Sequence, residues 1–504
     1  MRIVLLLAAL VLSAGPAGAA DKVPAKKDST GAPVQTHHQI RAGGKSVRYT
    51  VTTGKLPLKN EAGDTEAEIF FMAYTLDGTG KGTASPSSRP LMFSFNGGPG
   101  SSSVWLHLGA LGPKRVKMRV DGAMPSPPYQ LVDNPDTWLD QTDLVFIDPV
   151  GTGYSRASKP ELGKKYWGVQ GDLESVGEFI RLYLTRYQRW ASPLFLVGES
   201  YGTTRAAGLS GYLVDRGIAF NGILLVSSIL NFETADFTRG NELPYTLYLP
   251  TYTATAWYHK KLPADLQGRP LAPALREAEA WASTEYASAL AKGDRLSAEE
   301  RSAVEEKLSR YTGLDRGYVQ LSNLRVDIQH FCKELLRDQR RTIGRLDSRF
   351  QGIDESAASE TPDFDPSLAA IRPPYTAMFN DYVRGELDYK SDLTYHILGG
   401  GIGPWDWGTG GRQGFPDVSN ALRSAFAKNP DMKLFVASGH YDLATPYFAT
   451  NYTLDHLGLE PVERGRITTR EYEAGHMMYI HEAELAKLKK DVTDFIRLAL
   501  KPAP

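Results

Sequence analysis

The sequence predicts an α/β protein in which a mostly parallel central sheet is interrupted by a long helical insertion. Three observations support this fold class. Residues 90–95 and 143–148 are short, nearly continuous apolar runs, as is typical of buried parallel strands. Such runs alternate with segments of helical periodicity, which indicates strand–helix–strand units. The alternation stops near Phe232 and resumes after about Pro404, and the residues between have mainly helical patterns.

The elements follow in chain order from their patterns. Residues 45–53 and 66–75 alternate or are rich in β-branched and aromatic residues, which predicts N-terminal antiparallel strands. In the insertion, Ser297 followed by Glu300 predicts the start of a helix through a capping box. The remaining core elements are predicted as strands 90–95, 143–148, 194–197, 223–226, 433–437 and 466–472, and as helices 169–187, 203 onward, 418–427, 447–457 and 482–500.

Composition excludes several classes of protein. The chain has 504 residues, of which 42% are apolar and 23% charged, values that are ordinary for a water-soluble globular protein. A net charge of −1 gives no electrostatic support for a nucleic-acid partner. The single cysteine, Cys332, can form no internal disulfide, and no cysteine cluster could hold a metal. We therefore expect no metal site and no cofactor, while the oligomeric state stays open.

The N-terminus is typical of a secretory signal peptide. Arg2 gives a positive start, residues 3–12 are apolar, and small residues follow up to a cleavage point after Ala19 or Ala20. Ten apolar residues are too few to cross ~30 Å of hydrocarbon, so we expect no stable membrane insertion. Export with a single cysteine favours a bacterial envelope, and we expect a periplasmic or extracellular protein.

These patterns divide the chain into five parts. They are a signal peptide (1–20), a flexible polar leader (21–36), the first part of the core (37–231), a helical cap insertion (232–404) and the second part of the core (405–504).

Residues 198–202, with the sequence Gly-Glu-Ser-Tyr-Gly, follow an apolar strand and precede a helical pattern. In this nucleophile elbow the turn is so sharp that the flanking positions require glycine, and it exposes the serine hydroxyl at the positive end of the next helix. The motif predicts Ser200 as a nucleophile in an α/β-hydrolase fold. A serine hydroxyl needs a base, and the base needs a third group that holds it.

The acid and the histidine follow the serine in α/β-hydrolases. Asp442 comes after strand 433–437 and His476 after strand 466–472, at the sheet edge where open α/β sheets build their sites. We expect Asp442 to hold the imidazole of His476. His440 is the nearest alternative base, but it precedes the acid and does not follow a later strand.

Several segments together resemble one family. Residues 94–103 (Ser-Phe-Asn-Gly-Gly-Pro-Gly-Ser-Ser-Ser), the elbow, and Gly475-His476-Met477 closely resemble the serine carboxypeptidases, as do residues 134–138 and 146–155. The segments occur in the family's order. The resemblance implies an α/β-hydrolase core with a helical insertion over the site. It also implies an exported serine carboxypeptidase that hydrolyses C-terminal bonds of peptide substrates through an acyl-enzyme.

The resemblance also assigns roles to individual residues. The oxyanion donors map onto the backbone N–H groups of Gly98 and Tyr201. The substrate-binding positions map onto Asn96, Gly97, Glu199 and Met477, of which Asn96 and Glu199 grip the substrate's C-terminal carboxylate and Met477 contacts the pocket of the leaving residue. A carboxylate beside Glu199 forms a like-charge pair, so one of the two should carry a proton.

The chain departs from the family at four positions. Ser94 stands where the family usually has Trp, Ser101 where it has Cys, Ala110 where it has a second Glu, and Tyr479 where it has Pro. Half of the acidic carboxylate grip is therefore missing, which bears on exopeptidase specificity and leaves serine-based hydrolysis untouched. The alternatives are an esterase or acyltransferase with the same triad, and a catalytically silent binding protein, against which the intact triad argues.

Overall fold

The structure, a computed structural model, describes residues 32–77, 88–408 and 414–501. The predicted signal peptide and residues 21–31 of the predicted leader lie outside the described residues. The last part of that leader is not a loop, because the first strand begins at Val34 and pairs with Thr53 of the next strand. Alternating side chains of this strand are exposed, which explains why the segment has the polar composition of a leader.

The first part of the core runs to residue 228. Its strands are β1 (Val34–Ala42), β2 (Lys45–Lys59), β3 (Thr65–Leu76), β4 (Leu91–Phe95), β5 (Lys114–Val116), β6 (Leu131–Asp133), β7 (Asp143–Ile147), β8 (Arg156–Ala157), β9 (Leu194–Ser200) and β10 (Gly222–Ser228). Its helices are α1 (Val104–Leu106), α2 (Val169–Arg186) and α3 (Tyr201–Val214).

The insertion that follows is mainly helical. It contains α4 (Leu243–Tyr258), α5 (Ala264–Gln267), α6 (Leu271–Trp281), α7 (Ala287–Lys292), α8 (Ala298–Thr312), α9 (Arg316–Leu321), α10 (Ile328–Glu334) and α11 (Pro366–Gly385), with the short hairpin strands β11 (Thr342–Ile343) and β12 (Gln351–Gly352). The predicted capping box is present: Ser297 Oγ accepts the N–H of Glu300 (3.1 Å), and the Glu300 carboxylate accepts the N–H of Ser297 (3.0 Å).

The second part of the core returns to strand–helix alternation. It consists of α12 (Ser419–Lys428), β13 (Lys433–Gly439), α13 (Tyr447–Asp455), α14 (Pro461–Arg464), β14 (Ile467–Tyr472) and α15 (Glu482–Ala499). No helix within the described ranges has the length and apolarity needed to cross a membrane.

The central sheet has the strand order β1-β2-β3-β7-β4-β9-β10-β13-β14. The strands from β7 to β14 pair in parallel, whereas β1, β2, β3 and β7 pair antiparallel. Apolar clusters cover both faces of the sheet, as parallel strands require. The predicted fold class is confirmed: a mostly parallel α/β sheet with antiparallel N-terminal strands and a mainly helical insertion.

This topology brings the carboxyl ends of β9, β13 and β14 to one edge of the sheet, because β10 alone separates β9 from β13. Strand β9 ends at Ser200. The loop after β13 carries Asp442, and the loop after β14 carries His476. Residues more than two hundred positions apart in the sequence can therefore meet at this edge.

Candidate active site

The elbow around Ser200 has the backbone strain expected of an exposed nucleophile. Ser200 has φ 60° and ψ −132°, in the region that side chains other than glycine rarely adopt. Such a residue costs on the order of 1–3 kcal/mol and persists only where the surroundings fix it. A Cβ on Gly198 would lie 2.0 Å from the carbonyl oxygen of Gly202, so the turn closes only with glycine there. Helix α3 begins directly at Tyr201.

Asp442 and His476 form a buried hydrogen-bonded pair. Asp442 Oδ2 lies 2.8 Å from His476 Nδ1, and Asp442 is fully buried. The carboxylate is held by three further donors: its Oδ1 accepts the N–H groups of Ala444 (2.8 Å) and Thr445 (3.0 Å), and its Oδ2 accepts the Thr445 hydroxyl (2.7 Å). This geometry fixes the imidazole with the proton on Nδ1 and leaves Nε2 as the basic nitrogen.

Charge and burial act in opposite directions on His476. Burial disfavours the imidazolium, but the charge and hydrogen bond of Asp442, together with the charge of Glu199, outweigh this effect, so the pKa of His476 lies above its usual value. The backbone of His476 is also fixed, because its N–H donates to Leu346 O (2.6 Å) and its carbonyl accepts the Ser227 hydroxyl (2.6 Å). The alternative base His440 lies elsewhere: its Nε2 contacts Glu471 Oε2 at 3.0 Å.

Glu199 is a buried carboxyl group whose two oxygens are both occupied. Asn96 Nδ2 donates to Oε1 (3.0 Å), and the Tyr479 hydroxyl donates to Oε2 (2.5 Å). Burial raises the pKa of Glu199 to about 7, against the lowering effects of His476, Tyr479 and Asn96. The charge of Asp442 adds to this increase, so Glu199 reaches a high pKa although Ala110 offers no neighbouring carboxylate.

The loop that carries Gly97 and Gly98 contacts the elbow at very short range. A Cβ on Gly97 would lie 2.4 Å from the backbone nitrogen of Tyr201, so only glycine permits this approach. Gly98 has φ +99°, and among the described residues no protein acceptor takes its N–H. Both predicted oxyanion donors therefore belong to backbone segments that are in direct contact.

Two buried polar contacts fix this loop from below. Arg205 donates to the carbonyl of Asn96 (2.7 Å) and forms an ion pair with Asp172 (2.8 Å). Asp148 accepts the N–H (2.8 Å) and the hydroxyl (2.9 Å) of Ser103. The geometry of the loop does not depend on a disulfide, since Ser101 stands in it and its hydroxyl accepts the Trp105 indole N–H (2.9 Å).

A cavity of about 140 Å³ lies over the elbow. Most predicted site residues line it, namely Asn96, Gly97, Gly98, Glu199, Ser200, His476 and Met477. Its apolar lining consists of Trp105, Leu346, Leu368, Ile371, Leu398 and Met477. Engineered apolar cavities of this size bind one benzene ring, so the space fits one amino-acid side chain. The groups of three or more His, Cys, Asp and Glu that a metal would need do not occur in the described residues.

Sequence reasoning missed two groups of residues at this site. The first comes from the insertion, which contributes Arg345, Leu346, Leu368, Ile371 and Leu398 to the cavity. The second is Tyr479, noted in the sequence only as a replacement for Pro, which here donates to Glu199. The helical periodicity of the insertion does not indicate which turn meets the site. A tyrosine at position 479, where the family has Pro, is a sequence signal that a new polar contact forms there.

Comparisons with known proteins agree with the motifs. Residues 52–253 match the family model described as serine carboxypeptidase. Serine carboxypeptidase-like 13 of Arabidopsis thaliana is 31% identical over 155 residues, which are 29% of this chain and 34% of that protein. Serine carboxypeptidase-like 10 of the same plant is 25% identical over 206 residues, 40% of this chain and 43% of that protein. The aligned part thus spans about a third to two fifths of these relatives.

The fold extends further than the sequence similarity. The crystal structure of Kex1, a prohormone-processing carboxypeptidase from Saccharomyces cerevisiae, superimposes with a TM-score of 0.53 and 17% identity, and covers 88% of this chain and 91% of Kex1. At this identity the likeness shows the fold alone. The similarity to the serine carboxypeptidases that the motifs predicted is confirmed, whereas the expected bacterial origin receives no support from these plant and yeast proteins.

Proposed function

We propose, from this similarity to the serine carboxypeptidases, that the chain is a serine-type carboxypeptidase that hydrolyses the C-terminal bond of peptides. The observation that supports it best is the convergence of Ser200, His476 and Glu199 on one cavity. A nucleophile with its base and a group able to contact a terminal carboxylate then surround a space the size of one residue.

The reaction follows from the roles these atoms can take. Nε2 of His476 accepts the proton of Ser200 as the hydroxyl attacks the scissile carbonyl, and Asp442 stabilises the imidazolium that forms. The N–H groups of Gly98 and Tyr201 donate to the oxyanion. Collapse breaks the C–N bond, His476 protonates the leaving amino group, and the acyl-enzyme on Ser200 remains. Water, deprotonated by His476, then attacks the ester and frees the shortened peptide.

Glu199 sets the requirement for the substrate's end in this proposal. A substrate carboxylate placed against an ionised, buried Glu199 would be repelled, so binding needs the proton on Glu199. The pKa of about 7 means that this proton is available at neutral pH and below. Substrate binding needs a protonated Glu199, whereas catalysis needs a neutral His476. Near neutral pH these two requirements limit activity from opposite sides.

An esterase or acyltransferase is the second function to weigh, and one observation favours it. Both oxygens of Glu199 are already bound within the protein, and Ala110 offers no second acid. The site therefore holds a substrate's terminal carboxylate more weakly than a pair of acids would. Mass spectrometry of a peptide mixture after incubation separates the two functions. A carboxypeptidase shortens free peptides by single C-terminal residues and spares amidated ones, and Ser200→Ala stops this. Ester cleavage without any shortening of peptides would favour the alternative.

We also propose that the protein is exported, to the periplasm or the extracellular space. The support is the sequence pattern of residues 1–20. N-terminal sequencing of the mature protein tests this, and we expect it to begin at Ala20 or Asp21. A mature chain that retains Met1 would contradict export by cleavage.

A further inference from the structure

Arg345 places a positive charge at the rim of the candidate site. It is an exposed residue of the insertion, and it lines the same cavity as Ser200 and His476. Among the described residues, its guanidinium takes part in no hydrogen bond and no salt bridge, whereas the neighbouring Arg349 is paired with Asp347 (2.6 Å). Of the residues that line the cavity, Arg345 is the only one with a permanent positive charge.

The backbone of Arg345 is held in place by both catalytic loops. Its carbonyl accepts the N–H of Leu443 (3.0 Å), next to Asp442, and the carbonyl of Leu346 accepts the N–H of His476 (2.6 Å). On the other side, Asp365 Oδ1 accepts the Arg345 N–H (3.2 Å). These contacts fix the backbone of Arg345 beside the site, so its side chain starts from a defined position at the cavity.

No carboxylate in the described lining of the cavity pairs with the guanidinium of Arg345. Glu199 is the one carboxyl group of the lining, and its oxygens are bound by Asn96 and Tyr479. The lining also has apolar side chains, among them Leu346, Leu368 and Met477. An unpaired guanidinium beside an apolar wall favours a ligand that has an apolar stem and an anionic group.

We propose that Arg345 binds a carboxylate of the leaving amino acid, and so determines which substrates the site accepts. The inference rests on the proposed function. The carboxylate is either the α-carboxylate of the substrate or an acidic C-terminal side chain, since a guanidinium binds both through the same bidentate geometry. Arg345 would attract this carboxylate by its charge, which neither Glu199 nor Ala110 can do.

The test compares kcat/KM for four peptides of the form benzoyl-Phe-X. In these, X is Phe, Phe-amide, Glu or Gln. The variants are Arg345→Gln, Arg345→Lys, and as a matched control Arg276→Gln, an exposed arginine on α6 of the same insertion. The peptides form two pairs, Phe with Phe-amide and Glu with Gln. We expect the kcat/KM of Arg345→Gln to fall about tenfold further for the member that carries the extra carboxylate than for its neutral partner, mainly through a higher KM. Arg345→Lys should restore part of the difference.

The two peptide pairs identify the carboxylate. A selective loss between Phe and Phe-amide assigns the α-carboxylate, and a loss confined to Glu against Gln assigns the side chain. The charge of Arg345 also opposes protonation of His476, but this effect is common to both members of a pair and cancels in their ratio. Equal losses on all four peptides, or the same pattern in Arg276→Gln, would overturn the proposal.

Binding measurements separate this proposal from the proposed function. Calorimetry with Ser200→Ala and the double variant Ser200→Ala/Arg345→Gln measures affinity for benzoyl-Phe-Phe and its amide without turnover, and affinity for the Glu and Gln peptides likewise. If the wild type shortens no peptide but a carboxylate preference in binding depends on Arg345, the proposed function fails and the role of Arg345 stands. If no peptide pair shows an Arg345-dependent preference, the role of Arg345 fails whatever the enzyme hydrolyses.

Discussion

Replacing Tyr479 with Phe should move the alkaline limb of the pH profile of the proposed peptidase activity to higher pH. The hydroxyl of Tyr479 donates to Glu199 Oε2 at 2.5 Å and so stabilises the ionised carboxylate. The Phe variant keeps the ring, which is buried, and removes only this donor. Without it the carboxylate is less stable in its buried position, and the pKa of Glu199 must rise above about 7.

The size of the shift follows from the strength of the lost bond. A hydrogen bond to a charged group contributes about 1.5–3 kcal/mol, and one pKa unit corresponds to about 1.4 kcal/mol, so the pKa should rise by about 1–2 units. At pH 8 about a tenth of a group with pKa 7 is protonated, against about three quarters at pKa 8.5, so kcat/KM should rise roughly eightfold there. A neutral Glu199 also no longer stabilises the imidazolium of His476, so the acidic limb of the profile should move to lower pH.

The assay is kcat/KM against pH for a free peptide and its amide. We expect the alkaline limb of the free peptide to move upward in Tyr479→Phe and the profile of the amide to change much less. Tyr375→Phe is the matched control, because Tyr375 is a buried neighbouring tyrosine whose hydroxyl makes no hydrogen bond to Glu199. An alkaline limb that stays in place or moves to lower pH in a folded Tyr479→Phe enzyme would refute the role given to Glu199.

Three other substitutions test the site directly. Ser200→Ala should abolish both turnover and labelling by a fluorophosphonate probe, with a loss of several orders of magnitude because triad members act as a unit; turnover in a clean preparation would exclude Ser200 as the nucleophile. Asp442→Asn should fold normally but slow acylation by about ten-thousand-fold, since the amide stabilises the wrong tautomer of His476; near wild-type rates in a stopped-flow acylation assay would mean that another acid holds the histidine. Glu199→Gln keeps a neutral amide at every pH and should flatten the alkaline limb for free peptides but not for amidated ones; a limb that persists unchanged in Glu199→Gln points to a different titrating group.

The sheet and the edge that carries the candidate site could be predicted because their signals are local. A buried parallel strand is a short apolar run, and the elbow needs glycine at Gly198 and Gly202 whatever surrounds it. The order Ser200, Asp442, His476 then follows from where the loops leave their strands. The capping box at Ser297 is equally local, and the structure has it as the sequence predicts.

The remaining features depend on contacts between distant parts of the chain. Strand β1 has a polar, alternating sequence that only pairing with β2 identifies as a strand. The bond from Tyr479 to Glu199 spans 280 positions. Likewise, nothing in the sequence around Arg345 indicates that this turn of the insertion lies beside His476. Burial is the main cause of the raised pKa of Glu199, and burial is a property of the packed structure.

The segment around Arg345 and Leu346 also limits how this protein could be simplified. The insertion supports the loops that carry Asp442 and His476, because Arg345, Leu346 and Asp347 accept hydrogen bonds from the backbone N–H groups of Leu443, His476 and Gly475. It is therefore not an interchangeable module placed on a self-sufficient hydrolase. Deleting the insertion to obtain a minimal protein, or exchanging it for the insertion of a relative, would remove the hydrogen bonds that hold the loop around His476 in place. A transplant that preserves the arrangement of the candidate triad has to carry residues 345–347 with the core.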